Sequence, residues 1–194
     1  MPTSQIPTHF ARWLTAGLAI LAASCATIPE EPPPPPPPPP DFSYWTGDGV
    51  PGKPSITIDL SEQAAYFYKD GNLVGRSRVA TGRPGYSTPT GQYTLLEKSA
   101  QKRSNLYGTI YDASGNVVNS DADARKHSPP SGGRFEGASM PYWMRLTNRG
   151  VGMHAGPIPN PGSPASHGCI RLPSHMAIKF YDNLQLGAPI KIVR

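Results

Sequence analysis

With 194 residues, 37% of them hydrophobic, the chain has material for one domain of ordinary size and excludes a second of similar bulk. Two cysteines allow at most one disulfide, so no disulfide framework can stand in for a core, and the net charge is a modest +5. The first 24 residues carry one charge, Arg12, followed by an apolar run from Trp13 to Ala23. A run of about 11 residues suits the core of an export signal and is too short for a bilayer, which needs about 20.

The run ends Leu21-Ala22-Ala23-Ser24-Cys25, which resembles the lipobox of bacterial lipoproteins. The resemblance implies cleavage before Cys25 and its lipidation, which anchors the chain through several acyl chains. Ala26 follows, rather than the aspartate that commonly retains such proteins at the inner membrane. The expected home is therefore the periplasm, at the outer membrane. Nucleic acid is not an expected partner there. Residues 25–54 read as a Pro-rich linker whose nine consecutive prolines, 32–40, make a stiff left-handed spacer of roughly 28 Å. The folded domain is expected over 55–194.

That domain reads mainly as strands. Residues 55–60 and 64–68 alternate, Asp70-Gly71 supplies a hairpin turn, and 73–79 and 91–97 follow as strands. Residues 142–147 and 151–154 form a hairpin through Asn148-Arg149-Gly150, with His154 at a strand end. One helix is expected, capped by Ser174, with Met176, Ala177, Phe180, Tyr181 and Leu184 on one face and Gly187 ending it. A closing strand spans 189–193. The pattern is a sandwich or barrel of mixed strands with one C-terminal helix.

Between Lys98 and Gly137 the pattern dissolves into Ser, Asn, Asp, Gly and Arg, a long inserted loop arm. From Lys98 to Arg149 there are eight basic residues against four acidic, while the rest of the mature chain balances at nine and nine. The surplus reads first as a solvated loop and second as attraction for an anionic substrate.

The chemistry gathers between His154 and His175. Three of the five histidines fall there with Cys169, the only thiol beyond the lipobox. Cys169 is the candidate nucleophile, since a nearby imidazole or converging N–H dipoles bring a thiol from its ordinary pKa of about 8.5 into the reactive range. His167 lies two residues away, and His154 fifteen residues upstream across a Pro/Gly loop; either could pair with it. Gly168 permits a bend from which its own N–H and that of Cys169 could meet an oxyanion. Arg171 can hold a carboxylate with two hydrogen bonds.

Ser166-His167-Gly168-Cys169-Ile170-Arg171-Leu172, with His154-Ala155-Gly156 upstream, closely resembles the signature of the L,D-transpeptidases of the YkuD type. The resemblance extends to residues 81–91 and 140–147. It implies a β-rich cell-wall enzyme in which Cys169 attacks the bond between a diamino acid and terminal D-alanine of a peptidoglycan stem. D-Alanine leaves and the acyl group passes to an amine. The resemblance assigns His154 as base and acid. It has His167 and Gly168 shape the oxyanion site, and Ser166 and Arg171 support the loop or grip stem carboxylates. It implies no cofactor and no metal. No Asp or Asn adjoins His154 to orient it, which leaves that role to a backbone carbonyl.

Three other readings compete. His154, His167, Cys169 and His175 are zinc-type donors at a spacing that matches no standard site. The same acyl-thioester could be hydrolysed, giving an L,D-carboxypeptidase. A wall-tethering lipoprotein without catalysis would use the same lipobox and stalk.

Overall fold

The computed structural model describes residues 42–194. The export signal, Cys25 and the proline tract lie outside them. Three sheets and one helix carry the fold.

The first sheet is built around two hairpins. β1 (Tyr44–Trp45), β2 (Pro54–Asp59), β3 (Ala64–Lys69) and β4 (Asn72–Arg78) are joined by β5 (Gly91–Thr94) and by the C-terminal strand β13 (Pro189–Val193). The order is β1-β4-β3-β2-β13-β5, with β13 parallel to β2 and antiparallel to β5. Asp70-Gly71 makes the β3–β4 turn with φ of 47° and 81°, the left-handed pair that a two-residue hairpin demands. Alternation places Ile56, Ile58, Ala65, Phe67, Ile190 and Ile192 on the buried face.

The second sheet carries the chemistry. β6 (Glu97–Ser99), β10 (Trp143–Arg145), β11 (Gly152–Ala155) and β12 (Ile170–Leu172) lie in the order β12-β11-β10-β6, and β11 and β12 run parallel. The single strand expected over 91–97 is instead two. Leu95 donates its N–H to Ala188 and Leu96 to Arg145, so consecutive amides serve different sheets. The buried Leu95 side chain marks the crossing.

Helix α1 (Ser174–Asn183) closes the core between the two sheets, burying Met176, Ala177 and Phe180 beside Met144, Met153, Ile170 and Leu172. Its cap is not Ser174. Pro173 is the cap residue, with no side-chain hydrogen bond, and Ser174 is the first helical position. At the other end Leu184 is already extended, because its buried side chain must turn into the core, so Gly187 serves the following turn instead. Lys98 caps this end: its Nζ lies 2.8 Å from the Leu184 carbonyl and 4.3 Å from the Tyr181 ring, a cation at the helix's negative pole.

Residues 42–54, read from the sequence as linker, extend the domain. β1 pairs with β4, and Trp45 lies over Gly75, where a Cβ would stand 2.6 Å from the indole. The indole meets Phe67 edge-on at 5.0 Å and Phe180 at 6.2 Å. Buried Lys69 sends Nζ to the carbonyls of Gly47 (2.9 Å) and Val50 (2.7 Å). Trp45 is only partly buried, so Trp45→Ala is expected to cost about 2 kcal/mol in a denaturant titration, below the range for fully buried aromatics. A loss near zero would return the stretch to the linker.

The arm forms the third sheet. β7 (Arg103–Tyr111) lies between β8 (Val117–Asp123) and β9 (Arg134–Ser139), all antiparallel. It holds a close approach of backbones in place of a core. A Cβ at Gly137 would sit 1.8 Å from the Ser104 carbonyl oxygen, and one at Gly108 would sit 2.1 Å from that of Glu136. Strands with so little to bury show no apolar alternation, which is why this sheet is invisible in the sequence pattern.

Candidate active site

The outer face of the second sheet follows from register. Met153 pairs with Ile170 and Met144, and these point into the core. One position along, His154 stands between Arg171 of β12 and Trp143 of β10. Because strand faces alternate, Cys169, Arg171, Gly152, His154 and Trp143 share the face turned away from the core. His154 lies one strand over from the Cys169–Arg171 pair.

His154 is buried, 6% exposed, and its Nδ1 lies 2.8 Å from the Ala155 carbonyl oxygen. A carbonyl only accepts, so Nδ1 must carry the proton and Nε2 of the neutral ring is left bare. Burial holds its pKa down to about 4, outweighing the raising effect of the Ala155 bond. The imidazole is thus a neutral base at ordinary pH, in a fixed tautomer. This carbonyl takes the orienting role for which the sequence offered no side chain.

Cys169 is a free, half-buried thiol. Its Sγ lies 3.7 Å from the Gly150 carbonyl oxygen. Burial pushes its pKa up, opposed by the Gly152 N–H and the Arg171 charge. Gly152 also makes room for Trp143, whose indole would lie 2.6 Å from a Cβ there. With the thiol raised and the imidazole lowered, the resting pair is neutral.

The loop that carries the thiol is braced by residues 80–88. Ala165 and Ser166 donate N–H bonds to Thr81, Arg83 donates to Ser166, and Ala80 and Arg171 bond reciprocally. Thr88 Oγ1 accepts from Gly82 N at 2.9 Å and donates to the Gly168 carbonyl at 2.8 Å. Gly82 admits no side chain, since a Cβ would lie 1.8 Å from the Tyr86 carbonyl oxygen. Within the loop, Ser166 Oγ donates to the Cys169 carbonyl and accepts from Gly168 N.

One sequence expectation changes here. The Gly168 N–H is spent on Ser166 Oγ, 3.0 Å away, so the Cys169 amide and not that of Gly168 is the loop's donor beside the thiol. The segment 166–169 is not extended: Gly168 sits at φ 110°, a conformation open to glycine. His167 packs against the arm. Its ring stacks on Tyr107 at 4.1 Å and meets Tyr86 edge-on at 4.7 Å. Its Nε2 lies 2.9 Å from Arg83 Nη2 and 3.1 Å from Asp121 Oδ1. The Arg171 guanidinium has no hydrogen-bond acceptor among the described residues, and burial and the Arg83 charge lower its pKa. A Cβ at Gly156 would touch both the Arg171 stem and His154 Cε1, so glycine lets these two lie side by side. His175 is exposed on α1, and no group of three or more His, Cys, Asp or Glu among the described residues is placed to hold a metal.

The family model for the YkuD L,D-transpeptidase catalytic domain matches residues 53–192. The chain belongs to the YkuD family. A probable L,D-transpeptidase 3 of Mycobacterium tuberculosis is 30% identical over 146 residues, 74% of this chain and 46% of that protein. The chain thus spans about half the length of this curated relative. Among solved structures, an L,D-transpeptidase from Mycobacterium smegmatis shares the fold with a TM-score of 0.55 at 24% identity, over 72% of this chain and 58% of that one. L,D-transpeptidase 3 of M. tuberculosis, in complex with a faropenem-derived adduct, gives 0.54 at 25% identity, over 73% and 60%. The mainly β fold with one helix is that of the L,D-transpeptidases.

Within this YkuD domain the expected residues Cys169, His154 and Arg171 come together, and Ser166 and Gly168 bracket the thiol. Sequence reasoning missed Arg83, Tyr86, Tyr107 and Asp121, which surround His167. Residues 81–91 carried part of the family resemblance and so pointed to Arg83. Nothing in the arm's composition marked Tyr107 or Asp121.

Proposed function

We propose that the chain is a cysteine-dependent peptidoglycan L,D-transpeptidase. Cys169 Sγ attacks the carbonyl between the diamino acid and terminal D-alanine of a tetrapeptide stem as His154 Nε2 takes the thiol proton. The C–N bond breaks, His154 returns the proton to the leaving amine, and D-alanine departs. An acceptor amine then attacks the thioester, gives its proton to His154, and restores the thiol. The Cys169 N–H stabilises the oxyanion, and Arg171 holds a substrate carboxylate. Catalysis needs no cofactor.

The observation that carries this reading is the Ala155 carbonyl on His154 Nδ1, which leaves a bare Nε2 on the face shared with Cys169. It favours an enzyme over a passive wall tether. The reading also takes in the lipobox: Cys25 is lipidated and the chain works in the periplasm, held at the outer membrane by its proline stalk. Incubation with purified tetrapeptide muropeptides, followed by mass analysis, tests it. A cross-linked dimer or an exchanged D-amino acid is the expected product, each naming an acceptor. A tripeptide alone would make the chain a carboxypeptidase, and unaltered muropeptides would overturn the reading.

A further inference from the structure

Beside the Tyr107 ring, the arm brings one acidic side chain to the nucleophile's loop. Asp121 Oδ2 lies 2.7 Å from Arg83 Nη2, while its Oδ1 faces His167 Nε2 at 3.1 Å. The backbone aims it there by a bulge. Ala122 pairs with Gly108 and Asn119 with Ile110, so Ser120 and Asp121 together oppose Thr109.

The other members hold their places without Asp121. Arg83 lies over the Tyr86 ring at 4.8 Å, and His167 is fixed between Tyr86 and Tyr107. Asp121 itself is loosely held. Its side chain is 59% exposed, and exposed ion pairs of this kind contribute little. Arg83 only donates, so a His167 Nε2 that accepts from it has no proton for Asp121. With His167 neutral, Arg83 gives the carboxylate its one side-chain hydrogen bond among the described residues. The Arg171 guanidinium lies on the same side, since Ala80, three residues before Arg83, pairs with Arg171, and the charges of both Arg83 and Asp121 act on it.

We propose that Arg83 and Arg171, flanked by His167, form a cradle for a carboxylate of the acyl-donor peptide, and that Asp121 occupies it in the resting chain. Donor binding displaces Asp121 and frees β8 from the loop that bears the nucleophile. The proposal rests on the transpeptidase reading for the identity of the donor, and two carboxylates of such a stem qualify: the terminal one of D-alanine and that of the diamino acid side chain.

The test is calorimetric titration of a tetrapeptide donor into the full chain carrying Cys169→Ala, which reads binding without turnover. Adding Asp121→Asn is expected to tighten binding two- to fivefold, about the worth of an exposed ion pair. Adding Arg83→Gln is expected to weaken it about tenfold or more, the loss of a charge-assisted bond. Donors amidated at one carboxylate or the other identify the source, because the Asp121→Asn gain disappears for the donor whose held carboxylate is blocked. Weaker or unchanged binding in Asp121→Asn would make Asp121 a clamp and overturn the proposal, as would an Arg83→Gln chain that binds normally. D-alanine release by the chain with Cys169 intact is measured alongside. Its absence would defeat the transpeptidase reading, while the titration still decides the cradle.

Discussion

Replacing Cys169 by alanine is expected to abolish D-alanine release from tetrapeptide stems while leaving fold and stem binding intact. The thiol makes only a long contact to the Gly150 carbonyl, 3.7 Å, and accepts from the Gly152 N–H. Removing it therefore costs the domain little and the reaction everything. Without a nucleophile no acyl group is captured, and the expected drop exceeds about a thousandfold, limited by assay background. The comparison is D-alanine release against thermal stability in the same preparation. Residual turnover within tenfold of the parent would move the nucleophile elsewhere.

The second large effect belongs to His154. His154→Gln keeps a polar side chain but removes the base, and the expected loss in kcat/KM is about a hundred- to ten-thousandfold. The pH profile separates this role from a structural one. Burial lowers the folded pKa of His154 to about 4, so the neutral, active form is present above that value and is lost as pH falls through it. The acid limb of kcat/KM is expected near pH 4, with no fall between 7 and 6 where an exposed histidine would titrate. Alkylation of Cys169 by iodoacetamide reports the partner group. Burial raises the thiol pKa, so its alkaline rise should begin above that of free cysteine. A profile that falls through 6.5 would place the base on a different imidazole.

These expectations show which parts of the site were legible in the sequence. The strands of the first sheet, the β10–β11 hairpin and the helix announced themselves by period, because each buries one face in a common core. Cys169, His154 and Arg171 were legible because a thiol, an imidazole and a guanidinium lie in one short stretch. Their convergence depends on the parallel pairing of β11 with β12, which no local pattern encodes. His167 lies against Tyr107, Arg83 and Asp121, after which Gly168 bends the chain at φ 110°. Its neighbours Asp121 and Tyr107 lie in an arm whose strands are held by backbone contact and bury few apolar side chains. The arm's basic surplus suggested a solvated loop or an anion attractor, yet the residues that reach the Cys169 loop from it are a tyrosine and an aspartate.

The capping pattern gives the same lesson in smaller compass. Ser174 is a good cap by residue type, but Pro173 already holds the extended conformation of a cap residue, φ −55° and ψ 143°. Leu184 leaves the helix because the core needs its side chain, and Lys98, from a distant strand, satisfies its carbonyl. At the C-terminal end a tertiary contact decides a boundary that local preference would place further on.

The central claim is that Cys169 carries the acyl group between donor and acceptor. Rapid quenching of the chain with a tetrapeptide donor and no acceptor amine, followed by peptide mapping by mass, measures this directly. The expected result is a mass increment equal to the donor less D-alanine, on the peptide containing Cys169, with one D-alanine released per adduct. D-alanine release with no covalent adduct, or an adduct on any other residue, would contradict it.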